Sequence, residues 1–157
     1  EILGSGSNAD AHHITAPSPG GYGAARCMQL AIEDAGLTTD EICYVNAHGT
    51  STPLNDAAEA AALSKVFGEN GPPVTSTKGV TGHALGAAGA LEASSVLISF
   101  QRRQIPPTAG FTNPDPALPN INLVTGSPQA WEPGPSMSNS FGFGGHNGCL
   151  ILAPVSA

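Results

Sequence analysis

Cationic side chains are scarce: five Lys and Arg stand against twelve Asp and Glu in 157 residues, a formal net charge of -7. That balance argues against nucleic acid as a partner, because binding it depends on neutralising phosphates. An acidic protein partner would need a local basic patch, and Arg102 and Arg103 are the only clustered cations. Charged residues make up 11% of the chain and apolar residues 40%, too few charges for a disordered segment. The three cysteines are an odd number without metal-ligand spacing, so neither a disulfide framework nor a structural zinc site is indicated. Cys27 shares a helical face with Ala24, Met28, Ala31 and Ala35, while Cys43 and Cys149 sit in strand-like runs. All three read as buried, reduced thiols of a cytoplasmic protein. Long hydrophobic runs are also missing. The longest charge-poor stretch, 79–101, is mostly Ala, Gly and Ser and contains His83 and Glu92, which suits a helix buried in protein rather than one in a bilayer. No basic segment followed by an apolar one opens the chain, so nothing argues for secretion. Strand-like residues begin at Ile2, directly after Glu1, as expected of a piece of a longer protein.

What is present fits one domain with a core of its own. The 20 Gly and 14 Pro punctuate apolar segments and form no low-complexity run. Strand patterns are expected at 2–7, 42–46, 74–76, 121–124, 136–141 and 149–152. Helices are expected at 22–35, stopped by Gly36, at 55–67, with Asn55 and Asp56 at its positive end and Gly68 ending it, and from about Gly82 onward. Strands alternating with helices predict an α/β sandwich around a largely buried sheet.

Three segments combine reactive side chains with small residues. The first, Asn-Ala-His-Gly-Thr-Ser-Thr-Pro at 46–53, follows a strand and precedes a helix, the end of an α/β sheet where ligands commonly bind. Gly49 lets the backbone approach a ligand, and the hydroxyls of Thr50 and Thr52 can hydrogen-bond an extended polar chain. Taken alone, a helix-capping loop with an incidental His48 fits equally well. The second, Ser-Thr-Lys-Gly-Val-Thr-Gly-His at 76–83, lacks the residue order of a phosphate-binding loop. His83 is expected at a helix N-terminus, where the dipole keeps imidazole neutral and free to donate one N–H to a developing oxyanion. Lys78 and Glu92 are the only charged residues between Thr77 and Arg102, and a lone carboxylate in a buried helix needs a partner. The other reading of Lys78 is an ordinary surface lysine. The third, Asn-Ser-Phe-Gly-Phe-Gly-Gly-His-Asn at 139–147, places Gly142, Gly144 and Gly145 around Phe143; it reads as a mobile loop with anion-facing amides, or as a plain turn between strands.

In order and separation these segments resemble the β-ketoacyl-acyl carrier protein synthase family, nearest to the elongating type II enzymes of fatty acid synthesis. The resemblance extends over essentially the whole chain, including Asp-Ala-His-His-Ile-Thr at 10–15, Asp-Ala-Gly at 34–36 and Pro-Pro-Thr at 106–108. It implies a thiolase-like layered sandwich made of two similar α/β halves, with residues 1–157 forming the C-terminal half, a mixed sheet between helices. In the family, a cysteine of the first half is acylated from an acyl carrier protein. Malonyl-carrier protein then loses CO2, and the enolate attacks the acyl-cysteine. His48 and His83 match the two histidines that donate to the enolate oxygen. Lys78 matches the family lysine that supports the local field and the histidine positions, and Glu92 the acidic residue around that lysine. Thr50 and Thr52 match the threonines that bind the phosphopantetheine arm. Phe143, flanked by Gly142 and Gly144, matches the gating aromatic whose N–H is one oxyanion-hole donor. The resemblance also implies no cofactor beyond the phosphopantetheine brought by the carrier, and no metal among the catalytic groups, although some members hold a monovalent cation near the segment matching Asn46. The implied partners are acyl carrier protein, the N-terminal half and a second subunit in a homodimer, with no nucleic acid or membrane.

The departures are informative. None of Cys27, Cys43 and Cys149 has a family nucleophile's context, the docking patch of relatives lies mostly in the first half, and His146 reads as a structural or surface residue. Two alternatives are a non-catalytic ketosynthase-like partner, as in chain-length-factor subunits, and a metal hydrolase using His48, His83 and Asp56. Retention of both histidines and the lysine argues against the former, and the lack of metal-ligand spacing against the latter.

Overall fold

A computed structural model describes residues 1–155. The main sheet contains β1 (Ile2–Ala9), β2 (Tyr44–Asn46), β3 (Val74–Thr75), β6 (Ser136–Gly142) and β7 (His146–Leu152), in the order β1-β7-β6-β2-β3. It is mixed: β6 and β3 run parallel to β2, and β7 is antiparallel to both β6 and β1. A second, two-stranded sheet pairs β4 (Gln104–Ile105) with β5 (Gln129–Ala130). The helices are α1 (Tyr22–Asp34), α2 (Pro53–Phe67), the four-residue turn α3 (Lys78–Thr81) and α4 (Ala88–Arg102). None among the described residues is long and apolar enough to cross a membrane.

Apolar spacing explains how the layers form. On α1, Ala24, Cys27, Met28, Ala31 and Ile32 recur at helical intervals and are buried with Val45, Met137, Cys149 and Ile151 of the sheet. Burying a side chain the size of Met28 or Ile32 contributes about 1.5–3 kcal/mol. Beyond the last turn, the N–H groups of Gly36 and Leu37 donate to the carbonyls of Glu33 and Ile32, which stops α1 where expected. A separate cluster joins Val96 of α4 to Tyr44, Ile105, Val124 and Leu152, and the Tyr44 ring meets Trp131 edge-on at 5.6 Å.

Helix α1 lies directly on the backbone of β1. A Cβ on Gly6 would fall 2.2 Å from the Cys27 carbonyl oxygen and 2.8 Å from the Ala31 nitrogen. Gly6→Ala should therefore cost about 1–3 kcal/mol or more by forcing the helix off the sheet. Urea unfolding should show the loss, while exposed Ser5→Ala stays within about 0.5 kcal/mol of the parent. Equal midpoints for Gly6→Ala and the parent would contradict this packing.

Four expectations need correction. Helix α2 begins at Pro53, whose missing N–H costs nothing in a first turn. The helix expected from Gly82 begins only at Ala88, because Gly82, with φ 67°, ends the turn at 78–81 and a single 3-10 turn, Leu85–Ala87, intervenes. Residues 121–124 form no regular strand: one parallel bridge, Val74 with Leu123, lies beside β3, and the Leu123 N–H turns back to the Ile121 carbonyl. Cys43 is half-buried, since β2 starts one residue after it; Cys27 and Cys149 are buried.

Candidate functional site

Parallel β2 and β3 end side by side, with Val45 opposite Val74 and Asn46 opposite Thr75, so the segments after them emerge together at one edge. His48 follows β2, Lys78 and His83 follow β3, and β6 brings Phe141 alongside. The His48 and His83 rings stand 5.4 Å apart between centroids at 84°, and Phe141 lies 5.9 Å from His48.

The His48 loop is held by a residue that sequence reasoning missed. Glu59 of α2, buried, accepts the N–H groups of His48 at 2.9 Å and Gly49 at 2.8 Å, and the Asn139 amide at 3.3 Å. Its signal was a carboxylate on the same helical face as Ala62 and Leu63, where an unpaired charge is not tolerated. Burial pushes the Glu59 carboxyl up, and the two loop N–H groups pull it back. Gly49 has φ 42°, and a Cβ there would lie 2.5 Å from that of Ser76, whose hydroxyl donates to the Gly49 carbonyl at 2.8 Å. Only glycine allows that approach.

Lys78, also buried, ties the two segments together. Its ammonium pairs with Glu92 of α4, donates to the His48 carbonyl, and lies 3.3 Å from His48 Nδ1. Because an ammonium can only donate, His48 Nδ1 is the acceptor and neutral His48 carries its proton on Nε2. Burial is the main cause that lowers the His48 pKa to about 3, with the Lys78 charge and then His83 adding to it. His83 reaches the same tautomer differently: the Leu85 N–H donates to its Nδ1 at 3.2 Å. His83 is exposed and sits five residues before α4, so this bond, rather than a helix dipole, sets which ring nitrogen is the acceptor and leaves Nε2–H as the donor. Backbone strain marks both segments, with positive φ at Ser51 (60°) and Leu85 (52°), conformations that cost about 1–3 kcal/mol in a non-glycine residue.

The depressed His48 pKa fixes a sign. Between the unfolded value near 6.5 and the folded value near 3, the unfolded chain binds a proton that folded His48 refuses, so this group's contribution to stability falls as pH falls. Stability measured from about pH 6 to 4 should decline less steeply in His48→Gln than in the parent. Parallel curves would mean that His48 titrates normally in the fold.

The remaining residues are placed less uniformly. Thr50 and Thr52 share a hydrogen bond of 2.9 Å with each other, so one hydroxyl proton is already used. Phe143 is 77% exposed, and the ring of its segment that packs on His48 is that of Phe141. Gly144 has φ 82° and its N–H donates to the Ile14 carbonyl at 2.7 Å, while the Gly145 carbonyl accepts the Asp10 N–H at 2.8 Å. The loop is thus anchored at two points, and one of the amides expected to be able to face an anion, that of Gly144, is already engaged. Asp56 accepts the Ser51 N–H at 3.2 Å and serves the α2 terminus. No group of His, Cys, Asp and Glu among the described residues is arranged to hold a metal ion. The Oδ1 atoms of Asn46 and Asn139 and the Oε2 of Glu92 are buried without partners. Asn46 lies opposite Ser138 and its amide donates to the Tyr44 hydroxyl on the α4 side of the sheet, whereas Asn139, one residue on, reaches Glu59 from the other face.

Comparison with known proteins shows the family. Residues 1–112 match the family model described as the C-terminal domain of beta-ketoacyl synthase. The chain is 43% identical over 159 residues to a 3-oxoacyl-(acyl-carrier-protein) synthase 2 of Staphylococcus aureus, with 100% of this chain and 38% of the relative covered. The corresponding Coxiella burnetii protein is 43% identical over 157 residues, at 99% and 38% coverage. A beta-ketoacyl synthase crystal structure from Burkholderia phymatum superposes with TM-score 0.94 at 44% identity, covering 99% of this chain and 37% of that one. A ketosynthase from Xenorhabdus doucetiae in complex with its chain length factor gives TM-score 0.91 at 44% identity, covering 98% and 39%. The chain thus spans well under half the length of these relatives.

Proposed function

The chain belongs to the β-ketoacyl synthase family, and from that premise we propose that it is the C-terminal part of a condensing enzyme of fatty acid or polyketide synthesis. The reaction is decarboxylative Claisen condensation. The malonyl carboxylate leaves as CO2, and the bonding pair it releases becomes an enolate whose oxygen accepts from Nε2–H of His48 and of His83. The enolate carbon attacks the carbonyl of an acyl-cysteine thioester, and the cysteine leaves as thiolate. The observation that carries this reading is the histidine pair: rings 5.4 Å apart, both with Nδ1 occupied by a donor and Nε2–H left to give. Preorganised donors of this kind stabilise charge as it develops, at no reorganisation cost. Lys78 acts through the field and positions His48; Glu92 compensates its charge.

The nucleophile is assigned to residues outside this chain. Cys27 and Cys149 lie between α1 and the sheet, and Cys43 precedes the opposite end of β2 from His48. Acyl carrier protein is the partner that brings both acyl groups, its phosphopantetheine running past Thr50 and Thr52, with the Phe143 N–H as an oxyanion donor for acyl transfer. A homodimer in the cytoplasm completes the proposal, which requires no cofactor of the chain's own. A chain-length-factor role would not need the buried Lys78–Glu92 pair beneath two donor-ready histidines.

The test is complementation. The chain alone, given acyl- and malonyl-carrier protein, should form no ketoacyl product and acylate none of its three cysteines. Co-expression with an N-terminal ketoacyl synthase half containing the nucleophile should restore product. Turnover through Cys27, Cys43 or Cys149 would overturn the assignment, as would an assembled complex that acylates its cysteine but never condenses.

A further inference from the structure

Cys27 and Cys149 take no part in the chemistry proposed above, yet the fold sets them face to face. Both are free thiols, 0% and 2% exposed, in the layer between α1 and the sheet. Their placement follows from strand register. Gly6 pairs directly with Cys149 across β1 and β7, and directly opposed residues of an antiparallel pair project from the same face. The Cβ that Gly6 lacks would point at the Cys27 carbonyl oxygen, 2.2 Å away, so Cys149 faces α1 at the turn that bears Cys27. The Cys27 thiol in turn rests on this strand pair, donating to the Gly6 carbonyl at 3.3 Å. With no side chain on Gly6, nothing keeps the helix from the strand, and the close approach that a disulfide requires is built in.

We propose that Cys27 and Cys149 are a latent disulfide pair, closed by peroxide to staple α1 onto β7. The Cys27 thiol gives up its proton, the thiolate attacks one peroxide oxygen, the O–O bond breaks, and Cys27 becomes a sulfenic acid while the departing hydroxide takes up that proton and leaves as water. The Cys149 thiol then displaces hydroxide from that sulfur, forming the S–S bond and a second water. Two thiols are oxidised and one hydrogen peroxide is reduced. The thiols are unequal in the sense this order requires: Cys149 lowers the Cys27 pKa, whereas Cys27 together with burial raises that of Cys149. Cys149 also lies opposite Asn139, whose amide holds Glu59, so the staple stiffens the strand behind the His48 loop.

The test is a thiol map. The purified protein is treated with hydrogen peroxide, quenched, unfolded without reductant, alkylated and digested for mass spectrometry. The expected product is a monomer containing a peptide that links Cys27 to Cys149, with a raised melting temperature that dithiothreitol returns to its starting value. Cys43→Ser, which removes only the half-buried thiol, should give the same link. Cross-linked peptides containing Cys43, disulfide-linked dimers of the wild-type chain, or Cys27 and Cys149 still alkylatable once Cys43 is fully oxidised would each overturn the proposal.

Discussion

Alanine at His48 or His83 is expected to remove condensation from the complemented enzyme while the cysteine of the N-terminal half still takes up its acyl group. Each substitution deletes one Nε2–H aimed at the enolate oxygen, and losing one such donor costs about 10²–10³ in rate. The double variant should fall short of the product of the two losses, because both donors serve one oxygen. Glutamine, which restores an N–H donor, should recover part of the rate at either position. The loss is chemical rather than structural at His48, since Glu59 holds that loop through the backbone N–H groups of His48 and Gly49, which alanine keeps. Release of CO2 from malonyl-carrier protein, followed beside ketoacyl product, should fall with it. Unchanged CO2 release in both single variants would remove the histidines from the decarboxylation step.

Lys78→Met is expected to be the most destabilising single change at the site. It strands Glu92, a 1% exposed carboxylate whose Oε1 is held by Lys78 and whose Oε2 has no partner. Breaking a buried pair on one side typically costs about 3–5 kcal/mol, much of a domain's stability of about 5–15 kcal/mol. Burial already raises the Glu92 pKa despite the Lys78 contact. Without Lys78 the folded pKa rises further above its unfolded value. A group raised in this way favours the fold at low pH and loses that contribution as pH climbs, so Lys78→Met should be weaker at about pH 7 than at about pH 5. Adding Glu92→Leu should return most of the lost stability, because it removes the orphaned charge and fills the space. Urea midpoints at the two pH values decide the matter. A Lys78→Met chain as stable as its parent at both would mean that the pair is solvated.

Local pattern determined much of this protein. The period of the apolar residues placed α1 and α2 within two residues, and the strands at 2–7, 136–141 and 149–152 lie within those observed. Small residues around His48, Lys78 and His83 marked where backbone must pass close to something, and Gly49 against Ser76 is one such place. The sparse charge between Thr77 and Arg102 singled out Lys78 and Glu92, because a buried charge needs a partner.

Tertiary structure alone decided the rest. Glu59 became the anchor of the His48 loop only because α2 brings its carboxylate back against the backbone N–H groups of His48 and Gly49. Phe141 rather than Phe143 meets His48 because β6 inserts between β2 and β7, setting Asn46 opposite Ser138. His83 lies ahead of α4, and its tautomer is set by the Leu85 N–H, a bond made by one left-handed residue that no periodicity announces. Strand register likewise brought Cys149 beneath Cys27. Sequence pattern fixes which face of an element is buried, since that depends on neighbours three or four residues away. Which buried faces meet depends on sheet order and register, and these are set by pairing between segments far apart in the chain.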